Sequence, residues 1–396
     1  MTMMVRDERD IVVPVIEYHL HSGIDLLLIT DNASVDGTRE LLAAYEDDPR
    51  VIVMDHAVHD KNQSERVTEM ARRAYTEFGA DWVINADADE FFVPVDRSLN
   101  LKGLFERLPR SLGSAVVPVI DMTGRPARHG SGLRRLMQRD LRPEETLYER
   151  AGLIAHATHD AIHIGDPDVR VSQGNHYVSI ASGGDLPEDL RLESLHFPWR
   201  SFDQFSNKVG ISGRAYEANP ALTPSPRHHG MRDYRFLKAG VLEEVYLYRH
   251  PVTAAEAPDD VPVDDWLVNR LSEILLEPDV RHPEVLREAL DDTGDEAYSD
   301  TEIEDAARVA RAVLAIEHER AIAATEARDA RDLASVARER IDASNARREE
   351  AEARYERASG ELRQILMSRS YRLSMLFAAP VRRLRAAART ARLRIS

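Results

Sequence analysis

The sequence lacks cysteine and long apolar segments. None of its 396 residues is a cysteine, which excludes disulfide bonds, thiolate zinc sites and cysteine nucleophiles. The longest purely apolar run near the carboxyl terminus covers only residues 375–381, whereas a membrane-spanning helix needs about 20 residues. The first ten residues, MTMMVRDERD, carry charge almost at once and have no apolar secretory core. These absences predict a cytoplasmic protein.

Basic residues are also scarce in most of the chain. The sequence has 52 Lys and Arg against 69 Asp and Glu, a net charge of −17, which argues against a nucleic-acid partner. Residues 362–396 are the exception, with nine arginines and no acidic residue. A basic amphipathic segment of this kind suits an anionic membrane surface, here the inner face of the cell membrane. The alternatives are a disordered charged terminus and a helix packed on the acidic part of the chain.

Helix and strand patterns alternate between residues 11 and 120. Short continuous apolar strands, such as Leu-Leu-Leu-Ile-Thr at 26–30, stand between helical segments. Strands of this kind predict a mostly parallel sheet with helices on both faces. We therefore expect an α/β domain at residues 1–250, whose ligands would bind beyond the carboxyl ends of the strands.

The rest of the chain divides by composition. Residues 251–300 are acidic and contain proline, which predicts a linker with one short helix. Residues 301–366 have no proline and a single glycine, and are rich in Ala, Arg and Glu. They predict a long helix with an irregular apolar seam, capable of a weakly specified coiled coil and of homo-oligomer formation. The basic amphipathic tail occupies 367–396.

Three carboxylates follow the apolar segment at residues 82–85, namely Asp87, Asp89 and Glu90. Alternate residues of an extended chain share one face, so Asp87 and Asp89 are expected to converge. Neighbouring carboxylates need a cation, and Mg²⁺ or Mn²⁺ combines one or two carboxylates with substrate phosphates. The pattern predicts a metal and diphosphate site in which Glu90 supports the other two. A solvated acidic turn is the alternative.

A second polar motif, TDNASVDGT at residues 30–38, follows the first apolar strand and opens a helix. Its Asn, Ser, Asp and Gly residues suit a tight turn whose side chains hydrogen-bond locally. Polar groups at a strand's carboxyl end also contact a base or ribose in many such sheets. A plain helix cap by Ser34 or Asp36 is the alternative.

The order of three motifs resembles a known family. VRDE at residues 5–8, TDNASVDGT at 30–38 and DADEFF at 87–92 resemble the family 2 glycosyltransferases with the GT-A fold, in particular a bacterial branch. Weaker similarity at 173–176 (QGNH) and 195–198 (LHFP), with Arg200 and Lys208, extends the resemblance to about residue 250. The resemblance implies a Rossmann-like GT-A catalytic domain, and the long carboxyl-terminal helix lies outside it.

The resemblance also implies roles for individual residues. It suggests Asp87, Asp89 and His196 as ligands of Mn²⁺ or Mg²⁺. Family 2 enzymes generally invert the anomeric centre, which requires a general base. No motif identifies the base here, and His176 and Asp121 are the candidates, although each also suits a structural role. The implied nucleotide-sugar contacts are Arg6, Glu8, Asp31, Asn32, Ser34, Asp36, Gln63 and Asp87.

The function implied is an inverting, metal-dependent transfer of a sugar from a nucleoside-diphosphate sugar. The acceptor would be a hydroxyl of a glycan or a lipid-linked glycan, in cell-surface polysaccharide synthesis. A nucleotidyltransferase would also pair carboxylates with metal and phosphates, but it would usually carry a glycine-rich loop near its amino terminus, where this chain has none. A non-catalytic coiled-coil scaffold with a degenerate sugar-nucleotide domain is the second alternative.

Overall fold

The computed structural model describes residues 1–56, 63–153, 155–218, 224–225, 228–251 and 259–376. The chain forms two compact units, Met1–Glu319 and Arg320–Ser396. The strands are β1 Thr2–Val5, β2 Leu27–Asp31, β3 Val51–Asp55, β4 Trp82–Asp87, β5 Glu90–Pro94, β6 Ser114–Val117, β7 Val119–Thr123, β8 Gln138–Arg139, β9 Asp160–Ile164 and β10 Leu192–His196. The helices are α1 Val12–His21, α2 Thr38–Ala43, α3 Gln63–Thr76, α4 Leu101–Arg107, α5 Glu144–Ala151, α6 Phe202–Ala218, α7 His229–Ala239, α8 Leu242–Arg249, α9 Trp266–Ile274, α10 Pro283–Ala289 and α11 Asp300–Met367.

The larger sheet of the first unit has six strands in the order β3-β2-β1-β4-β9-β6. Strands β3, β2, β1 and β4 run parallel, and β9 pairs antiparallel with both β4 and β6. In the centre, Met4 of β1 is level with Thr30 of β2 and Asp87 of β4. The carboxyl ends of three parallel strands therefore meet at one edge, where α/β sheets bind ligands.

The smaller sheet has four strands in the order β5-β10-β7-β8. In this sheet His196 of β10 lies beside Glu90 of antiparallel β5 and Asp121 of parallel β7. This register brings three predicted site residues together although more than 100 positions separate the first from the last in the sequence. The smaller sheet thus continues the polar edge that begins at the end of β4.

Helix α1 packs against the sheet and is buried on nearly all sides. Val12, Val13, Val15 and Ile16 are 0% exposed. Complete burial of each such side chain contributes about 1.5–3 kcal/mol relative to exposure. The helix is therefore a central element of the core, and it holds the preceding loop of residues 6–10 against the sheet edge.

The first unit extends past the predicted boundary at residue 250. Leu267, Leu271 and Ile274 of α9 are at most 2% exposed and belong to the same hydrophobic core as β1 and α1. The acidic composition of 251–300 predicted a linker, but the apolar side of α9 is buried in that core. The described residues 259–300 are therefore part of the first unit and not a linker.

Helix α11 runs from Asp300 to Met367, as the composition of that segment predicts. In its first turns Ile303, Ala306 and Ala310 are buried in the first unit. In the second unit its apolar residues Leu333 and Ile341 are 71% and 59% exposed.

Residues 369–376 are also helical, whereas most of the predicted basic tail, 377–396, lies outside the described residues. In the portion of the chain that is described, no helix combines the length and the apolar character needed to cross a membrane. The expected fold class, an α/β domain with a mostly parallel sheet followed by a long carboxyl-terminal helix, is confirmed.

Candidate functional site

A cavity of about 380 Å³ opens at the carboxyl ends of β1, β2 and β4. Its walls come from segments far apart in the sequence, namely residues 4–8, Asn32, Gln63, 87–89 and Gln173. Helix α6 closes another side with Asn207, Lys208, Ile211, Ser212 and Tyr216. All three motifs noted in the sequence therefore contribute residues to this one cavity.

Two of the motifs hold each other in place. The backbone N–H of Asp7 donates to Ser34 Oγ over 3.0 Å, and the N–H of Val35 donates to Asp7 Oδ1 over 2.7 Å. Asp36 accepts from the N–H groups of Thr38 and Arg9 at 2.9 and 3.0 Å. Ser34 and Asp36 thus brace the two loops, whereas the N-cap of α2 is Gly37 without a side-chain cap bond, so neither residue is the plain helix cap weighed as the alternative.

Two non-glycine residues in these loops adopt left-handed backbone conformations. Asp7 has φ 54° and Ala33 has φ 56°. Left-handed φ is uncommon outside glycine, and it persists where surrounding contacts impose it. The hydrogen bonds between the loops supply such contacts, so the cavity wall that follows β1 and β2 is held in a defined shape.

Four buried polar atoms near this wall have no hydrogen-bond partner among the described residues. They are Arg6 Nε, Asp7 Oδ2, Asp31 Oδ1 and Asn32 Oδ1. Leaving such a group unsatisfied costs about 1–3 kcal/mol. Arg6 Nε and Asp7 Oδ2 lie 3.8 Å apart as an ion pair, whereas Asp31 Oδ1 and Asn32 Oδ1 are acceptors without such a partner, so this wall favours a ligand with hydroxyl or N–H donors, or water in its place.

Asp87 ends β4 and is held by amide groups. Its Oδ1 accepts from Gln63 Nε2 at 2.9 Å and from Asn175 Nδ2 at 3.0 Å. The Asp87 backbone N–H donates to Glu90 Oε2 over 2.9 Å, so Glu90 supports the turn from beneath. Burial, followed by the charge of nearby Asp89, raises the pKa of Asp87. Burial, followed by the charges of Asp160 and Asp87, raises the pKa of Glu90 well above its usual range.

Asp89 lies in the turn between β4 and β5 and is 1% exposed. Its Oδ2 accepts from Lys208 Nζ at 2.7 Å and from an Arg200 guanidinium nitrogen at 3.3 Å. Burial opposes ionisation of Asp89, but the charges of Lys208, His196 and Arg200 outweigh it and hold the pKa of this carboxyl below its usual range. Asp89 is therefore a fully ionised carboxylate with its own protein cations.

Arg200 is completely buried behind the acidic turn. It donates to Glu8, to Asp10 at 2.7 Å and to Asp89, and so joins the loop after β1 to the turn after β4. Burial disfavours the guanidinium charge, but Asp10 and Glu8 outweigh it and raise the pKa of Arg200. Burial raises the pKa of Glu8 to about 7, despite the opposing charges of Arg200 and Lys208.

His196 and Asp121 form a pair on neighbouring strands. His196 Nδ1 lies 2.7 Å from Asp121 Oδ1, and its Nε2 lies 3.8 Å from Asp89 Oδ2. Burial lowers the pKa of His196, but the hydrogen bond to Asp121 and the charge of Asp89 outweigh it, so the pKa of His196 is raised. Asp121 therefore orients the imidazole and favours its protonated form.

His176, the other candidate base, lies in a different environment. Its Nδ1 is 3.0 Å from the His159 carbonyl and 3.7 Å from Asp160 Oδ1. The hydrogen bond to Asp160 raises the pKa of His176 above its usual value. Neither His176 nor Asp121 lines the cavity in the described part of the chain.

The donor set, as it stands, does not fit a divalent ion. Asp89 Oδ2 already pairs with two cations, and Asp87 Oδ1 already accepts from two amides. Mg²⁺ needs about six oxygens at about 2.0–2.1 Å. Among the residues that are described, no group of three or more His, Asp or Glu is placed to hold a metal ion. We assign no reaction step to a metal, and metal binding by Asp87, Asp89 and His196 stays a prediction.

The roles of Arg200 and Lys208 were missed by the sequence analysis. Both residues belong to the weaker part of the resemblance, which named them without a role. They reach Asp89 across 111 and 119 positions of sequence. The signal present in the sequence was an arginine and a lysine eight residues apart after a strand that ends in histidine.

Comparisons with known proteins give distant structural matches only. No protein-family model matches the chain, and no curated protein matches it. S. aureus TarS matches with 12% identity and a TM-score of 0.29, covering 79% of this chain and 54% of TarS. Residues 1–349 of TarS match with 11% identity, a TM-score of 0.27 and coverage of 80% and 89%.

A third matching structure is TarS 1–349 in complex with UDP, with 9% identity, a TM-score of 0.28 and coverage of 73% and 88%. The chain thus spans about half the length of the first of these matches. Matches this distant carry no argument about activity. The cavity itself and the sequence motifs that line it are therefore the basis for a function.

Proposed function

We propose that this protein is a glycosyltransferase that takes its sugar from a nucleoside-diphosphate sugar. The observation that carries the proposal is the cavity at the ends of β1, β2 and β4, which combines unpaired acceptors with a lysine. Its volume of about 380 Å³ lies within the usual range for small-molecule sites, about 300–1,000 Å³. A nucleoside diphosphate has hydroxyl and N–H donors at one end and anionic oxygens at the other.

The nucleoside would bind beside the loops after β1 and β2. Asn32 Oδ1, on the cavity wall, and Asp31 Oδ1, next to it in the sequence, accept no hydrogen bond there, and they suit ribose hydroxyls and base N–H groups. Of the contacts implied by the resemblance, Arg6, Glu8, Asn32, Gln63 and Asp87 line the cavity. Ser34 and Asp36 would act through the loops that they brace.

The reaction would be attack of an acceptor hydroxyl on the anomeric carbon of the donor sugar. The bond from that carbon to the diphosphate breaks, and fixed positive groups stabilise the departing diphosphate. We include inversion in the proposal, which needs a base for the hydroxyl proton. His176 and Asp121 remain the candidates, but the raised pKa of His176 leaves less of it in the base form at neutral pH.

The acceptor class is supported by the sequence resemblance alone. We propose a glycan or lipid-linked acceptor in cell-surface polysaccharide synthesis, with the basic tail on the inner membrane face. The tail contact is checked by flotation of the protein with vesicles containing anionic lipid, against vesicles of neutral lipid. Equal flotation in both would count against an electrostatic anchor.

The nucleotidyltransferase and scaffold alternatives make different predictions. A thermal-shift screen of UDP-, GDP- and dTDP-sugars, each with and without Mn²⁺, tests binding. NMR of the product with the stabilising sugar nucleotide then identifies sugar transfer and the anomeric configuration. Release of pyrophosphate from a nucleoside triphosphate would support the nucleotidyltransferase instead.

A matched pair of asparagine variants makes the screen specific. Asn32→Ala removes an unpaired acceptor from the cavity wall, whereas Asn269→Ala changes an exposed residue of α9. We expect loss of the nucleotide-dependent shift in the first variant only. Absence of any shift in the wild-type protein would favour the scaffold interpretation.

A further inference from the structure

We propose that Lys208 of α6 binds the diphosphate of the donor, in the position where a divalent ion was expected, and that Asp89 is its counter-ion. This inference rests on the proposed function and specifies how the donor is held. It assigns to one protein side chain the positive charge that a bound metal would otherwise supply.

The pair of Lys208 and Asp89 is asymmetric. Lys208 Nζ lies 2.7 Å from Asp89 Oδ2, but the lysine side chain is 46% exposed and the aspartate side chain is 1% exposed. Both residues line the cavity. A lysine ammonium has three N–H donors, and one of them serves Asp89. Glu8 Oε1 lies 3.8 Å from the same Nζ, beyond hydrogen-bond distance, so Lys208 can still donate to a phosphate oxygen that enters from the open side.

Asp89 does not depend on Lys208 for a partner. The fully buried Arg200 donates to the same Asp89 oxygen at 3.3 Å from the protein side. Replacement of Lys208 would leave Asp89 paired with Arg200 rather than as an uncompensated buried charge. The fold therefore does not need Lys208 to neutralise Asp89, and the half-exposed position of Lys208 at the cavity suits the binding of an anion.

The acidic turn already has two protein cations beside it without a metal. Glu8, Asp10 and Asp89 face Arg200, and Lys208 lies within 3.8 Å of both Glu8 and Asp89. Because burial raises the pKa of Glu8 to about 7, that carboxyl is partly protonated at neutral pH. A divalent ion placed beside Asp89 would be repelled by the two cations that already pair with this carboxylate, whereas a phosphate oxygen can accept from the exposed side of Lys208.

The first experiment measures nucleotide binding with the full chain in EDTA. Isothermal titration with UDP, GDP and dTDP identifies the nucleoside diphosphate that binds the wild-type protein most tightly. A parallel titration contains Mn²⁺ in place of EDTA. Lys208→Gln is expected to weaken that diphosphate about ten- to a hundredfold in EDTA, the range of one charge-assisted hydrogen bond. The same substitution should weaken binding of the corresponding nucleoside monophosphate less.

Lys238→Gln is the matched control. Lys238 is also an ion-paired lysine, 54% exposed and 2.6 Å from Glu217, but it lies on α7 and does not line the cavity. We expect its affinity to equal that of the wild type. Melting temperatures of both variants show whether either substitution disturbs the fold.

The variant Asp89→Asn distinguishes a metal ligand from a counter-ion, because the two roles predict opposite changes in diphosphate affinity. If Asp89 is a metal ligand, the variant loses the diphosphate affinity that Mn²⁺ adds. If Asp89 is the counter-ion of Lys208, removing its charge leaves affinity in EDTA equal to or tighter than that of the wild type. Arg200 keeps Glu8 and Asp10 as partners in this variant. If the variant does not fold, the EDTA comparison of wild type and Lys208→Gln decides the question.

The outcomes distinguish this inference from the proposed function. Wild-type binding in EDTA that is lost in Lys208→Gln supports the inference. Wild-type binding that requires Mn²⁺, or equal affinities of Lys208→Gln and wild type, overturns it and leaves the proposed function standing. No binding of any diphosphate in either condition overturns both.

Discussion

Replacement of the buried Arg200 by methionine should destabilise the first unit in a pH-dependent way. Arg200 contacts Glu8, Asp10 and Asp89 and is 0% exposed. Removing one partner of a buried ion pair costs about 3–5 kcal/mol, because it leaves an uncompensated charge. Lys208 still reaches Asp89, and the Asp10 side chain is 24% exposed and can hydrate. We therefore expect the lower end, about 3 kcal/mol.

The pH dependence follows from Glu8. Its pKa in the folded protein is raised, so protonation favours the folded state, and stability falls as pH rises from the unfolded value of 4.5 to about 7. Loss of the Arg200 charge, which lowers this pKa, moves the upper limit of that window to higher pH. The cost of Arg200→Met should therefore be larger at pH 8 than at pH 5.5.

Melting temperatures at the two pH values provide the assay. At about 2 °C per kcal/mol, the scale of larger domains, the variant should melt about 6 °C below the wild type at pH 8. Arg107→Met is the control, because Arg107 pairs with Asp189 on the surface, where both side chains are about half exposed or more. A shift below about 2 °C at pH 8, or the same shift at both pH values, would refute the reasoning.

Three further predictions address the pH response, the boundary of the first unit and the seam of α11. Affinity for the nucleoside diphosphate that binds tightest should fall as pH rises through about 7, because Glu8 then gains a negative charge inside the cavity. The affinity should fall less in Glu8→Gln, and superimposable pH profiles by titration calorimetry would contradict this. Leu271→Ala should lower the free energy of unfolding in urea by about 2–5 kcal/mol, whereas Asn269→Ala, at an exposed position of the same helix, should lower it by about 0.5 kcal/mol. Equal effects of the two substitutions would place α9 outside the core. If the apolar seam of α11 joins copies of the chain, Val336→Asp should reduce the molar mass measured by light scattering to that of one chain, whereas Ser335→Asp should not. An unchanged mass in Val336→Asp would exclude the seam as the oligomer interface.

The local sequence predicted the helices and strands that have strong patterns. Strands β2, β3 and β4 are short apolar runs between turn residues, and α3 has apolar residues on one face. The central strand β1 was not predicted, because Thr2–Val5 is only four residues long and precedes a charged segment. Its pairing with both β2 and β4 makes it a strand, and neither partner is near it in the sequence.

The same distinction holds for the site. Asp87 and Asp89 could be singled out because the turn and the strand before it are contiguous in sequence. Their different partners could not, since Asn175 reaches Asp87 across 88 positions and Lys208 reaches Asp89 across 119. Composition made residues 259–300 look like a linker because charge dominates there, and only the fold reveals which few apolar side chains are buried.

The two cations beside the acidic turn come late in the sequence, and this affects how the chain can fold during synthesis. Asp89 leaves the ribosome 111 residues before Arg200 and 119 before Lys208. Until then Glu8, Asp10 and Asp89 lack the cations that pair with them in the fold. A nascent chain that ends before residue 200 should therefore leave this edge of the sheet open, and its closure should coincide with the docking of α6.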